Sequence, residues 1–117
     1  MAFKFEKLIV WQKSVELSYQ IHLIAIHFPK QETYVLGSQI RRAADSVSLN
    51  IAEGSTGQSN AEFKRFLGIA LRSVVEIVGC LYLGRKRLII SEQQFLTVYN
   101  LCEELLVMIN GLKRSLT

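Results

Sequence analysis

The side chains in this chain that could do chemistry are of two kinds, and their spacing separates them. The first kind comprises Cys80 and Cys102, the potential nucleophiles, and His22 and His27, the potential general bases. Each cysteine sits in the middle of an apolar run, and the histidines lie five residues apart with no acidic cluster beside them. A zinc site needs three or four N and S donors at close spacing. Nucleophilic or acid–base catalysis needs a base within hydrogen-bond reach of its partner and a third group to orient it. The sequence offers no Cys-x-x-Cys, no His-x-x-x-His, no carboxylate pair with a histidine, no Ser-His-Asp set and no glycine-rich phosphate loop. The expectation is a protein that is not an enzyme and holds no metal or cofactor. The cysteines then read as small reduced core residues, and the histidines as packing or surface residues.

The second kind is basic. Fourteen Lys and Arg face ten Asp and Glu, a net charge of +4, which is compatible with a polyanionic partner without demanding one. The candidate nucleic-acid contacts are Arg41, Arg42, Lys64, Arg65, Arg85, Lys86, Arg87, Lys113 and Arg114. Several have a local alternative. Arg85–Arg87 and Lys113–Arg114 fall in the last turns of helical segments, where cations complement the helix dipole. Arg42 can pair with Asp45 at i,i+3 and Arg72 with Glu76 at i,i+4. Arg41 and Arg42 lie inside a helix, so the dipole does not account for them. Adjacent side chains point about 100° apart, so one of the two is left as a fork donor suited to phosphate or as an arginine lying along the bundle flank.

The elements that must position these groups read as helices throughout. Ile40, Ala43, Ala44, Val47 and Ile51 make one helical stripe. Gly54 follows it as an expected left-handed C-cap, and Ser59 with Glu62 forms an S-x-x-E capping box ahead of Phe63, Phe66, Leu67 and Ala70. Pro29 is the sole proline and ends the first helix near Phe28. The boundaries expected are about Leu8–His27, Thr33–Glu53, Asn60–Lys86 and Ser91–Arg114, the last opening on a second capping box, Ser91 with Gln94. Phe95, Val98, Cys102, Leu105, Ile109, Leu112 and Leu116 form its seam. Phe63, Leu67, Ala70, Val74, Ile77 and Leu81 form that of the third helix. The first helix carries two rows, one of Leu8, Trp11, Val15, His22 and Ala25, the other of Leu17, Ile21, Ile24 and Phe28. Short linkers place consecutive helices side by side. The expected fold class is all-α, a single-domain, up-down-up-down antiparallel four-helix bundle.

Half of the residues are hydrophobic, and the mean hydropathy of +0.22 is high for a soluble chain. Charges interrupt every apolar run before it reaches the ~18 residues of a membrane span, and MAFKFEKLIVWQK lacks the apolar core of a signal peptide. A soluble cytoplasmic protein with no membrane partner is expected. Two apolar rows on several helices exceed the ~100° stripe one bundle buries, which points to a homo-oligomeric ring or dimer; a thick core is the alternative. Trp11, Asn50, Glu53 and Glu76 are the candidates for specifying core or subunit contacts. Asn50 does so as a polar group that fixes register, and Glu53 as a carboxylate at a helix C-terminus that needs a donor or a cation.

With these residues in view, the chain resembles the bacterial four-helix-bundle proteins encoded within intervening sequences of the large-subunit ribosomal RNA. The resemblance lies in LIVWQKSVEL (Leu8–Leu17), FPKQETYVLGSQIRRAADSVSLNIAEG (Phe28–Gly54) and SNAEFKRFLGIALRSVVE (Ser59–Glu76), with a generically similar fourth helix. It implies a non-enzymatic left-handed bundle that assembles as a ring, commonly a pentamer, with a role at ribosomal RNA or the ribosome. A relative is the accessory protein of diversity-generating retroelements, whose basic barrel contacts nucleic acid and a reverse transcriptase, so a reverse transcriptase-like partner follows by analogy. This chain departs from the family pattern at the neutral Ser55-Thr56-Gly57-Gln58, where a basic residue is usual. It departs again at Val78, where a second glutamate is usual. The function expected is an oligomeric adaptor that binds structured RNA or a ribonucleoprotein through its basic surface. The alternative is a protein-interaction or structural ring with no nucleic-acid role.

Overall fold

The computed structural model describes residues 1–116, and every regular element among them is helical. A 3-10 turn (Lys4–Lys7) leads into α1 (Ile9–Ala25), and a second 3-10 turn (Lys30–Glu32) precedes α2 (Leu36–Gly54), α3 (Asn60–Lys86) and α4 (Glu92–Ser115). Each helix packs on the next, and α4 packs on α1. The 27 residues of α3 make a rod of about 40 Å, which accounts for the 43 Å long axis of the molecule.

The stripes of α2, α3 and α4 bury as their periodicity requires. Ile40 through Ile51, Phe63 through Leu81 and Phe95 through Ile109 all lie in the core, with Leu112 and Leu116 packed on its edge. On the first helix the expected row of Leu17, Ile21, Ile24 and Phe28 lies in or against the core, but the other row holds only in part. The buried face of α1 is Val10, Ser14, Leu17, Ile21 and Ala25, whereas Val15 and His22 point outward. Ser14 hides this face from a hydropathy reading. Its hydroxyl donates to the Trp11 carbonyl at 2.6 Å, so a polar residue is buried at little cost.

The corners also correct the sequence reading. The second helix starts at Leu36 rather than Thr33, because Val35 (φ −112°, ψ −95°) interrupts the backbone. Gly54 is not a left-handed cap. It is the last residue of α2, and the helix closes through Ser55, whose hydroxyl donates to the Ala52 carbonyl at 2.8 Å. The left-handed glycine is Gly57, at φ +89°. Glycine is required at position 54 by proximity, since a Cβ there would lie 2.6 Å from Phe66 Cβ on α3. Half of the first capping box forms: Ser59 Oγ accepts from the Glu62 N–H, while the Glu62 carboxylate turns to Arg65. The Ser91–Gln94 box forms completely. The left-handed stop that the sequence suggested for α2 ends α3 instead. Leu88 takes φ +62°, and its N–H reaches the Arg85 carbonyl while that of Ile89 reaches Gly84, the paired bonds of a Schellman motif.

By length and composition, α3 and α4 could each cross a membrane. Each also contributes a continuous stripe to the shared core, and α3 carries Lys64, Arg65, Arg72 and Glu76 on its other faces.

Candidate nucleic-acid interface

Packing divides the nine basic candidates by whether a carboxylate or carbonyl already holds them. Arg85 lies 3.8 Å from the Phe95 ring centroid and 5.1 Å from that of Tyr82, and it pairs with Glu92 at 3.3 Å. Arg87 pairs with Glu32 at 3.4 Å. These contacts tie the end of α3 to the start of α4 and to the Lys30–Glu32 turn, and leave Lys86 as the cation of that triplet without an ion pair among the described residues. Arg41 donates to the Thr33 carbonyl at 3.2 Å, tying α2 to the loop ahead of it. Arg42 is exposed and forms no ion pair among the described residues. Its expected partner, Asp45, instead accepts from the Ser18 hydroxyl of α1. Arg72 forms no pair with Glu76 either, whose carboxylate accepts from Gln39 Nε2 at 3.4 Å.

Toward the start of α3 and the end of α4 the arrangement is different. Lys64, Asn110, Lys113 and Arg114 line one open cleft, and Lys113 also lines a second with Arg65, Gly68 and Arg72. The lining of both contains five cations and no carboxylate. Lys113 Nζ lies close to Gly68 of α3, where a Cβ would stand at an ordinary contact distance of 3.7 Å from it. Among the described residues only Arg65 of the five has an ion-pair partner, Glu62 at 2.7 Å. Their hydrogen bond holds the Glu62 carboxyl below, and the Arg65 guanidinium above, its ordinary pKa. Both groups are exposed, so the pair adds little stability.

Lys64, Gly68 and Arg72 are spaced i, i+4, i+8, so they share one face of α3. Arg72 belongs to this site although the sequence assigned it to Glu76. The i+4 spacing from Lys64 was the signal that could have found it.

The remaining candidates are structural. Trp11 packs edge-on against Phe5, with centroids 4.8 Å apart. Asn50 is half-buried rather than a core residue, and it donates to the Ser46 carbonyl and hydroxyl at 2.7 and 2.9 Å. Ser73 of α3 donates to the same hydroxyl at 2.9 Å, so the cluster joins α2 to α3. Glu53 is exposed and has no ion-pair partner among the described residues, and the free N–H groups at the start of α3, one possible donor for it, are capped by Ser59. Burial raises the Cys80 and Cys102 thiols, Cys102 to about 12, which keeps both protonated and unreactive near neutrality. No group of three or more His, Cys, Asp and Glu able to hold a metal occurs among the described residues.

Residues 6–111 match the family described as 23S rRNA-intervening sequence protein. The chain belongs to that family. A solved relative is a crystal structure of a protein of unknown function from the S23 ribosomal protein family of Bacteroides thetaiotaomicron. It shares 27% identity at a TM-score of 0.81 and covers 90% of this chain and 98% of its own. No curated protein matches the chain. The intervening-sequence family therefore accounts for almost the whole chain, and its fold extends over all four helices.

Proposed function

We propose that this intervening-sequence-family protein is a non-enzymatic, cytoplasmic adaptor that binds structured RNA, or the ribonucleoprotein containing it, through the α3–α4 basic cleft. In the same reading the four helices form an up-down-up-down antiparallel bundle, and several copies close into a ring, a pentamer by resemblance. One observation carries the RNA assignment. Lys64, Arg72, Lys113 and Arg114 converge without an ion-pair partner among the described residues, whereas Arg85 and Arg87 at the other end are neutralised. Cations converging with no facing carboxylate suit a phosphate backbone, and binding of that kind weakens steeply with salt.

Gel shifts with a structured ribosomal RNA hairpin test the assignment. Three phosphate contacts predict a log–log salt slope of about −2 to −3. The triple variant Lys64→Glu, Lys113→Glu, Arg114→Glu should abolish binding while leaving the melting temperature nearly unchanged. Salt-independent binding, or binding that survives the triple reversal, refutes it.

A second reading rests on a separate observation. An apolar groove lined by Val74, Val75, Val78, Tyr99 and Leu106 runs between α3 and α4, and Val75 and Val107 are 62% and 68% exposed. These residues favour a protein-interaction or structural ring. That reading predicts a protein partner in pull-downs that persists after nuclease treatment. Light scattering on the eluting protein tests assembly: a mass of 13.3 kDa rules out the ring, and five times that mass supports a pentamer.

A further inference from the structure

The N-terminal turn holds one phenylalanine, Phe3, largely in solvent and a second, Phe5, half-buried beside it. Phe3 is 64% exposed, yet its backbone is held from both sides: its N–H donates to Glu6 Oε1 at 2.9 Å, and its carbonyl accepts from the Glu6 N–H at 3.2 Å. The turn is tied to α1 by Gln12 Nε2, which donates to the Glu6 carbonyl at 3.0 Å. The Phe3 and Phe5 rings stack with centroids 6.0 Å apart and planes 28° from parallel. Behind them Phe5 meets Trp11 edge-on. Lys4, between the two rings in sequence, lies 5.6 Å from the centroid of Phe63 on α3.

The turn does not close onto the α2–α3 corner. Between them lies a cleft of about 350 Å³ lined by Phe3, Lys4, Phe5, Ser55, Thr56 and Gly57, within the ~300–1,000 Å³ of small-ligand sites. Nothing lies within 4 Å of a Cβ placed on Gly57. The cleft therefore combines two aromatic side chains, a lysine and hydroxyl-bearing residues. No carboxylate lines it, and the Glu6 carboxylate in the same turn accepts from the Phe3 N–H.

We propose that this cleft takes an unpaired base of a nucleic-acid strand, stacked on Phe3 and Phe5, with Lys4 on the adjoining phosphate. The proposal rests on the RNA reading above and adds a preference for a single-stranded segment beside the structured one. Aromatic faces bind any base by stacking, and cations track the backbone. A ring carried on a backbone already fixed by hydrogen bonds loses less freedom on binding than one on a free terminus.

The test compares two ribo-oligonucleotides of equal length and charge, one of adenylates and one abasic, by fluorescence anisotropy at low salt. The adenylate strand should bind about 5- to 150-fold more tightly, the span expected for one stacked base. Phe3→Leu should remove that advantage, leave abasic affinity and duplex binding as they were, and leave the melting temperature unchanged. Phe3→Tyr should retain the advantage. Trp11, the one tryptophan, should change its emission with the adenylate strand only.

Equal affinity for the two strands with normal salt sensitivity overturns this proposal alone. Equal weakening of both strands by Phe3→Leu also overturns it. An emission change with free adenosine monophosphate, but none with the strand, assigns the cleft to a mononucleotide and overturns it. Absence of binding by either strand and by duplex overturns this proposal and the RNA reading together.

Discussion

Replacing Gly54 with alanine tests whether the α2–α3 corner is set by close packing rather than by backbone conformation. The added Cβ would stand 2.6 Å from Phe66 Cβ and 3.0 Å from Phe63 Cδ1. Carbon atoms pack at about 3.5–4.0 Å, so α2 and α3 must part by roughly 1 Å at this end. Overpacking of this kind costs about 1–3 kcal/mol. Opposing it is the preference for alanine over glycine in a helix, at most ~1 kcal/mol and less at a final helical residue. The expected net loss is about 1–2 kcal/mol, a fall in melting temperature of roughly 4–8 °C for a chain of this size. Urea and thermal unfolding followed by circular dichroism at 222 nm would measure it. The obstructing atom is the Phe66 Cβ, which alanine also carries, so Phe66→Ala should not rescue the variant. A Gly54→Ala protein at least as stable as the parent would refute the packing argument and return Gly54 to the role of an ordinary helix terminus.

Three further outcomes are expected. Leu88 holds a left-handed conformation at 90% exposure, so Leu88→Gly should raise stability by about 1 kcal/mol by relieving backbone strain, read from the urea midpoint. Ser91→Ala removes the acceptor for the Gln94 N–H and should destabilise α4 by about 0.5–2 kcal/mol; an unchanged melting temperature would count against the cap. The Cys102 thiol is held protonated by burial up to about 12, against an ordinary value of 9.0. The unfolded thiol ionises first, so stability should be intact below about pH 9 and fall as pH rises toward 12, by no more than ~1.4 kcal/mol per pH unit. Urea midpoints at about pH 8 and pH 10.5 should differ less in Cys102→Ala than in the parent.

Much of the scaffold could be read directly from residue order. The stripes of α2, α3 and α4 repeat at helical spacing, and the Ser59 and Ser91 caps mark the starts of α3 and α4 within one residue. These are local properties: a helix face and an N-cap depend on residues within a turn of one another. On α1 the row of Leu17, Ile21, Ile24 and Phe28 was legible, but the rest of the buried face was missed because it includes Ser14, whose hydroxyl is satisfied within its own helix. Burial there follows from the neighbouring helices rather than from side-chain polarity. The role of Gly54 was misread for a similar reason, since the atom that excludes a side chain belongs to the next helix.

The candidate interface shows the same division. Charge surplus and the positions of the cations were open to inspection from the start, and Lys64, Lys113 and Arg114 were among those named. Which of them remain available was decided by tertiary contacts. Glu32 neutralises Arg87 across 55 residues, Phe95 and Glu92 hold Arg85, and Arg72 joins Lys113 although 41 positions separate them in the chain. Local order along a helix determined the rods and their apolar faces. Only their packing determined where positive charge stands without a partner, because a carboxylate cancels a cation by distance in space, whatever the distance along the chain.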